Sequence, residues 1–81
     1  MKLPRDVSGA ELANALGVLG YCIVRQTGSH LRLKTMLDGE HYITIPKHSP
    51  LRIGTLSAIL SEVASHFKIS RDDVVERVLL R

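Results

Sequence analysis

Residues 20–46, which read GYCIVRQTGSHLRLKTMLDGEHYITIP, contain three strand-forming stretches separated by turn signals. The middle stretch, His30–Thr35, alternates apolar and polar residues with the period of two expected of a half-buried strand. Thr27-Gly28-Ser29 and Asp38-Gly39 mark two tight connections, and Pro46 ends the third stretch because it lacks an N–H for the ladder. We therefore predict a three-stranded antiparallel sheet with strands over Tyr21–Gln26, His30–Thr35 and His41–Pro46.

Helix signals flank this stretch on both sides. Ser8 and Glu11 form an S-x-x-E capping box, and apolar residues then recur at helical spacing until Gly20, which favours a helix end. A second apolar stripe starts near Gly54-Thr55, and Ser70 opens another capping signature before a short closing helix. The three stripes consist of Leu12, Ala15, Leu16 and Leu19; of Leu56, Ile59, Leu60 and Val63; and of Val74, Val75, Val78 and Leu79.

The order of these elements predicts an α+β fold: a helix, a three-stranded antiparallel sheet, a helix and a short C-terminal helix. The helices should cover one face of the sheet and leave the other face in water. A chain of 81 residues has material for one hydrophobic core, so we expect a single domain over residues 1–81 and an open, shallow functional site.

Composition narrows the classes of function. The net charge is +3, and its whole surplus lies in residues 1–52, which hold seven basic and four acidic residues. A local positive excess is what a polyanion-binding surface needs. No apolar signal region and no long apolar span is present, so we expect neither secretion nor membrane insertion, and a cytoplasmic location. The single cysteine excludes a disulfide framework, and Cys22, inside an apolar run, is expected to be buried and inert.

Alternation within the second strand assigns its side chains to two faces of the sheet. Leu31 and Leu33 should point toward the helices. The solvent-facing side then collects His30, Arg32 and Lys34. By the same alternation we expect the inward residues of the outer strands to be Cys22, Val24, Ile43 and Ile45, and the outward ones to be Tyr21, Ile23, Arg25, Tyr42 and Thr44. Cations, tyrosine rings and an ionisable group suit RNA, although polar residues occupy the outside of any half-buried sheet.

The first turn adds chemistry to this face. Gly28 allows close backbone approach, and Ser29 offers a hydroxyl and an N–H to a phosphate. His30 follows at the start of its strand, and an imidazole can take or give a proton at cellular pH. The remaining histidines are expected at the core edge (His41), in a loop beside the sheet as a candidate second proton-transfer group (His48), and in a structural or exposed position (His66).

Other kinds of site find no support in the sequence. No histidine pair has the spacing of a zinc site, and the only cysteine has no companion thiol. The chain contains no Gly-rich nucleotide loop, no nucleophile elbow and no facing pair of carboxylates. We therefore expect no metal and no other cofactor.

Several motifs together resemble one known family. They are Lys2-Leu3-Pro4-Arg5-Asp6, Gly20-Tyr21, Arg25-Gln26-Thr27-Gly28-Ser29-His30, Thr44-Ile45-Pro46, and Gly54-Thr55-Leu56 with Ile59-Leu60. In this order and spacing they resemble the HicA (YcfA-like) toxin family, from the N-terminus to about Ala64. The chain departs from that pattern at Ser65-His66-Phe67-Lys68, which is extra length before the last helix.

The resemblance implies a fold like that of a double-stranded-RNA-binding domain and a toxin that cleaves mRNA. It also implies a HicB-type antitoxin as partner, and it places the family's catalytic histidine on His30. We expect such an antitoxin to cover the wet face of the sheet, where complementary acidic charge would speed association.

The mechanism that we expect is metal-independent cleavage in which the ribose 2′-hydroxyl attacks its own phosphate. His30 would act as general base or acid, and a second proton transfer would fall to His48, Lys47 or water. The residues expected to bind RNA are Arg25, Gly28, Ser29, Arg32, Lys34 and Lys47. Two alternatives remain open: a non-catalytic RNA-binding module, and an inactive homologue that acts only through its antitoxin.

Overall fold

The structure, a computed structural model that describes residues 3–80, has the predicted order of helices and strands. The strands form one antiparallel sheet in the order β1-β2-β3. This α+β arrangement is consistent with a fold like that of a double-stranded-RNA-binding domain, as predicted. The elements are α1 (Gly9–Ala15), a 3₁₀ turn (Leu16–Leu19), β1 (Cys22–Gln26), β2 (His30–Thr35), β3 (His41–Pro46), α2 (Ile53–Phe67) and α3 (Arg71–Val78).

The first helix begins at the predicted capping box and ends one turn earlier than its apolar stripe suggests. The Ser8 Oγ atom accepts from the Glu11 N–H at 3.0 Å, and the Glu11 carboxylate accepts from the Ser8 N–H at 3.0 Å. Leu16–Leu19 then tighten into the 3₁₀ turn, and Gly20 adopts a left-handed φ of 83°. A Cβ at this position would also lie 2.7 Å from the Thr35 Oγ1 atom, so glycine is required on both grounds.

The hydrophobic core lies between the sheet and the helices. The capping signature at Ser70 is confirmed, because its hydroxyl accepts from the Asp73 N–H at 3.0 Å and so starts α3. No helix among residues 3–80 is long and apolar enough to cross a membrane. The largest fully buried apolar side chains are Leu12 and Leu16 of the N-terminal helical segment, Leu33 and Ile45 of the sheet, Leu56, Leu60 and Val63 of α2, and Val74 and Val75 of α3.

Strand β1 is the part of the sheet where the expected alternation is wrong. Its pairing with β2 shifts between Ile23 and Arg25, which leaves Val24 in a bulge with 50% of its surface exposed. Cys22 pairs with Lys34 and is exposed on the outer face rather than buried. A bulge inserts one residue and reverses the facing of those beyond it. Cys22 was therefore assigned to the wrong face, as was Ile23, which pairs with the inward Leu33, and Val24 is exposed rather than buried.

Tyr21 is also on the opposite side from the one expected. It precedes β1 and is only 4% exposed, on the side opposite to its outward neighbour Cys22. Its hydroxyl lies 2.7 Å from the His41 Nδ1 atom, and its ring packs edge-on against Phe67. Burial, and secondarily the carboxylate of Glu62, raises the pKa of Tyr21 to about 12.

Candidate nucleic-acid interface

The turn between β1 and β2 is closed by Thr27. Its backbone N–H donates to the His30 carbonyl at 3.0 Å, and its Oγ1 atom accepts from the His30 N–H at 3.0 Å and from the Ser29 N–H at 3.4 Å. Gly28 lies at the tip, where an added Cβ would meet nothing within 4 Å. The protein side of this turn is thus tightly bonded while its outer side stays open.

The imidazole of His30 stands exposed at the start of β2 and, within residues 3–80, has one side-chain partner. The Ser29 Oγ atom lies 3.0 Å from its Nδ1 atom. Because a neutral imidazole carries one N–H, this contact couples the tautomer of the ring to the direction of the Ser29 hydroxyl. With Nδ1 held by Ser29, Nε2 is the ring nitrogen that remains available to a ligand.

The loop after β3 is bonded to this turn. The Lys47 N–H donates to the Ser29 carbonyl at 2.9 Å, and the His48 carbonyl accepts from the Gly9 N–H at 2.9 Å. Gly9 is required here, because any Cβ would collide with the Pro46 carbonyl. The side chains of Lys47 and His48 are both exposed. The backbone therefore brings their loop to the turn of His30.

The outer face of the sheet carries the predicted cations, but these side chains already interact with neighbouring residues. The Arg32 Nη1 atom donates to the Thr44 hydroxyl at 3.1 Å, and its guanidinium lies 4.8 Å from the centroid of the Tyr42 ring. The Lys34 ammonium lies 5.6 Å from the same ring and 3.3 Å from the Glu40 carboxylate. Hydrogen bonding to Glu40 raises the pKa of Lys34. Tyr42 thus supports two cations rather than presenting a bare ring.

Arg25 lies on the outer face as predicted, although the bulge that precedes it in β1 was not predicted. It pairs with Arg32 across the β1–β2 ladder. Within residues 3–80 neither guanidinium forms an ion pair with a carboxylate. Two neighbouring arginines without acidic partners are a strongly attractive position for an anion.

Spacing along β2 divides the predicted site into two parts. At about 3.3 Å per residue, Arg32 lies about 7 Å and Lys34 about 13 Å along the strand from His30. The structure therefore brings Ser29, Arg25 and Arg32 into the neighbourhood of His30. It does not bring Lys34 there.

The remaining histidines belong to the opposite end of the sheet or to the loop. His41 is at the core edge, as expected, and its ring stacks on His66 with the centroids 4.4 Å apart. The His66 Nε2 atom donates to the Leu37 carbonyl at 2.9 Å, which gives that residue a structural role. Burial, followed by the neighbouring His66, lowers the pKa of His41. Among residues 3–80 no three His, Cys, Asp or Glu residues lie close enough to hold a metal ion.

The sequence did not reveal the roles of Thr27 and Gly9 in this site. A threonine just before a two-residue loop often bonds the backbone beyond it, so its position was a usable signal. Gly9 carries no such signal, because its contact with Pro46 depends on tertiary packing.

A comparison with known families places the chain beside one of them. The family model described as the HicA toxin of bacterial toxin–antitoxin systems matches residues 9–64, which is more than half of the chain and includes the whole turn of His30. No curated protein and no solved structure gives a significant match.

Proposed function

Because this chain belongs to the HicA toxin family of bacterial toxin–antitoxin systems, we propose that it is an endoribonuclease that cleaves mRNA with His30. Membership of the family makes the chain the toxin of such a system. A toxin of this kind acts together with an antitoxin. The single observation that carries the proposed chemistry is the exposed imidazole of His30 in a turn closed by Thr27. Cytoplasm is the location that an mRNA substrate implies.

The bonding of the turn supports a role for His30 in proton transfer. When Nδ1–H donates to the Ser29 hydroxyl, 3.0 Å away, the Nε2 lone pair faces solvent and can act as general base. Gly28 has no role in the fold that requires its lack of a side chain. Its open surroundings leave room for a nucleotide beside the ring.

In the proposed reaction His30 takes the proton of a ribose 2′-hydroxyl. The 2′-oxygen attacks the adjacent phosphorus, and the bond from phosphorus to the 5′-oxygen of the next nucleotide breaks. The products are a 2′,3′-cyclic phosphate and a free 5′-hydroxyl. The leaving 5′-oxygen takes its proton from a second donor, for which Lys47 and His48 in the bonded loop, or water, are the candidates. This reaction requires no metal ion.

The cations divide the remaining work according to their positions. Arg25 and Arg32 lie on the same face of the sheet as His30 and have no carboxylate partner within residues 3–80. They would hold the scissile phosphate and stabilise the negative charge that develops on it. Lys34 lies farther along β2 and shares its charge with Glu40. We assign Lys34 to a neighbouring phosphate of the RNA.

The antitoxin, which we propose to be of the HicB type, would inhibit by covering the outer face of the sheet. That surface holds the imidazole together with two arginines that form no ion pair within residues 3–80, so one acidic partner could shield all of them. Slower amide hydrogen exchange in β1 and β2 of the complex would support this arrangement. Protection confined to α2 and α3 would contradict it.

The experiment that tests the catalytic proposal compares two defined substrates. The protein should cleave an RNA oligonucleotide in the presence of a chelator and leave a 2′,3′-cyclic phosphate. It should not cleave the same oligonucleotide with a 2′-deoxy residue at the cut site. Cleavage of both substrates at equal rates would refute attack by the 2′-hydroxyl.

The two alternatives, an RNA-binding module and an inactive homologue, are separated from the enzyme by His30→Ala. For an active toxin, expression without the antitoxin should arrest growth, and the substitution should relieve the arrest. A folded His30→Ala protein that cleaves RNA as well as the native one would refute the assigned role. Absence of growth arrest with soluble native protein would favour the inactive homologue.

A further inference from the structure

An open cleft on the helical side of the molecule is walled by two arginines from distant parts of the chain. Its volume is about 680 Å³, and no carboxylate lies among its walls within residues 3–80. Within the same residues neither guanidinium forms an ion pair. The walls are formed by Leu3, Arg5, Ile53, Gly54, Ser57 and Arg71.

Hydrogen bonding orients one of these arginines. The Arg71 Nη1 atom donates to the Ser57 Oγ atom at 2.6 Å, and Arg71 is half-buried. Since the hydroxyl oxygen accepts this bond, its own proton is free to donate elsewhere. Arg5 is exposed on the other wall. Guanidinium groups and a hydroxyl donor are the groups that recognise phosphate oxygens.

The charge of the surroundings stays positive when the nearby acids are included. Asp6 follows Arg5 and Asp72 follows Arg71 in the chain, but neither carboxylate lines the cleft. The Asp73 carboxylate caps α3, where it accepts from the Ser70 N–H at 3.4 Å. The first turn of α2 contains no acidic residue. An anion in the cleft would therefore lie beside two cations, and none of the residues that line the cleft within residues 3–80 is acidic.

A series of backbone hydrogen bonds leads from the His30 turn to this cleft. Lys47 bonds to Ser29 in the turn, and the next residue along, His48, bonds to Gly9. The Leu51 N–H then donates to the Val7 carbonyl at 2.7 Å. The cleft residues Arg5 and Ile53 are each two positions beyond this last pair. The exposed side chains of Lys47 and Arg52 lie on the same connecting segment.

The two arginines lie outside the part of the chain that matches the family. Arg5 precedes the matched residues 9–64, and Arg71 follows them. The cleft is thus built by the N-terminal segment and α3 together with the first half of α2. Arg5 belongs to one of the motifs that resemble the family, so the Arg71 wall is the part of the cleft that the family match does not account for.

We propose that this cleft is a second phosphate-binding site, which holds a backbone phosphate of the same RNA strand that is cut at His30. The proposal rests on the proposed function. The strand would pass from the outer face of the sheet over Lys47 and Arg52 to Arg5 and Arg71. The site would lengthen the contact with RNA without reading its sequence, because phosphates carry no sequence information.

The test compares Arg5→Gln/Arg71→Gln with Arg77→Gln, all in a His30→Ala background that keeps the RNA intact. Arg77 lies on α3 but not in the walls of the cleft, so its substitution controls for the loss of one positive charge and is matched in charge to Arg5→Gln. The measurement is the affinity for a single-stranded RNA dodecamer as a function of salt. Each lost phosphate contact should lower the slope of log affinity against log salt by about 0.7.

We expect the double variant to bind the dodecamer several-fold more weakly, and the Arg77→Gln control to match its parent. The gain in affinity from a trinucleotide to the dodecamer should also shrink in the double variant. Arg5→Gln alone should give part of both effects, and it cannot disturb α3 because Arg5 has no hydrogen-bond or ion-pair partner within residues 3–80.

Equal slopes for the double variant and the Arg77→Gln control would overturn the proposal. Cleavage by the native protein and its loss in His30→Ala would in that case leave the proposed function intact. Loss of affinity for the antitoxin with unchanged binding of RNA would also overturn it, because the cleft would then belong to a protein interface. Failure of the native protein to cleave or bind RNA would remove both proposals together.

Discussion

His30 and His41 begin two neighbouring antiparallel strands, and therefore lie at opposite ends of the same sheet. His30 stands in solvent with one hydroxyl near its ring. His41 is half-buried, bonded to a phenol and stacked on a second imidazole. The two residues share their chemistry and their place in a strand. They differ in how many contacts the neighbouring residues make with each ring.

The difference shows which end of the molecule is available for a reaction. At the His41 end, the His41 Nδ1 atom bonds the Tyr21 hydroxyl, the His66 Nε2 atom bonds the Leu37 carbonyl, and the two rings stack on each other. At the His30 end, side chains bond the backbone of the turn and leave the imidazole open. An exposed ring can exchange protons with a ligand, while a packed ring stabilises the fold.

The largest expected effect separates the two histidines. His30→Ala should reduce RNA cleavage by about 10²- to 10⁴-fold, the usual worth of a general acid or base, with a change in unfolding free energy within about 0.5 kcal/mol. His41→Ala should instead lower the unfolding free energy by about 1–2 kcal/mol. Cleavage assays and urea denaturation of both variants measure the contrast. The comparison would be refuted if His41→Ala abolished cleavage while His30→Ala lowered the unfolding free energy.

The next effect concerns the positioning of His30. Thr27→Val removes the Oγ1 atom that accepts from the His30 N–H, so the imidazole should lose its fixed direction. We expect a loss of about tenfold in kcat, which corresponds to about 1.4 kcal/mol, with little change in KM. Thr27→Ser keeps the hydroxyl and should restore most of kcat. Thr55→Val is the control outside the turn, and a loss in that variant as large as in Thr27→Val would contradict the positioning role.

The sequence predicted the fold where one residue type decided one structural choice. The alternation of β2 placed Leu31 and Leu33 in the core, and the capping boxes at Ser8 and Ser70 placed two helix starts. Local hydrogen-bonding chemistry governs these positions, so a local pattern is enough to find them.

The prediction failed where the outcome depended on a distant part of the chain. Cys22 looked buried because the alternation was continued through a bulge that only the pairing with β2 reveals. Tyr21 looked exposed because its partners, His41 and Phe67, come from β3 and α2. Of the candidate site, the sequence identified the turn of His30. The bond that joins the Lys47 loop to it appears only in the folded chain.

A smaller effect is expected from the hydroxyl at the His41 end. Tyr21→Phe removes the hydrogen bond to the His41 Nδ1 atom and should lower the unfolding free energy by about 1 kcal/mol. Cleavage should stay at the native rate, because the site lies at the other end of the sheet. Tyr42→Phe is the exposed control and should change stability by less than about 0.5 kcal/mol. A large loss of cleavage in Tyr21→Phe would show that the two ends are coupled.

The smallest effect is a dependence of stability on pH that originates at the His41 end. Burial, and next the neighbouring His66, lowers the pKa of His41 below its usual 6.5, while Glu62 opposes this. The unfolded chain therefore binds more protons than the folded one just below pH 6.5, and the unfolding free energy should fall as the pH falls through that range.

Urea denaturation at about pH 7.5 and about pH 5 measures this loss of stability, given the usual histidine pKa near 6.5. The loss should be smaller in His41→Gln, because the group with the lowered pKa is gone. His48→Gln should keep the full native loss, since its ring is exposed. Carboxylates titrate in all three proteins and cancel in the comparison. An equal loss in His41→Gln and the native protein would show that the packed histidine end does not titrate as the contacts around it require.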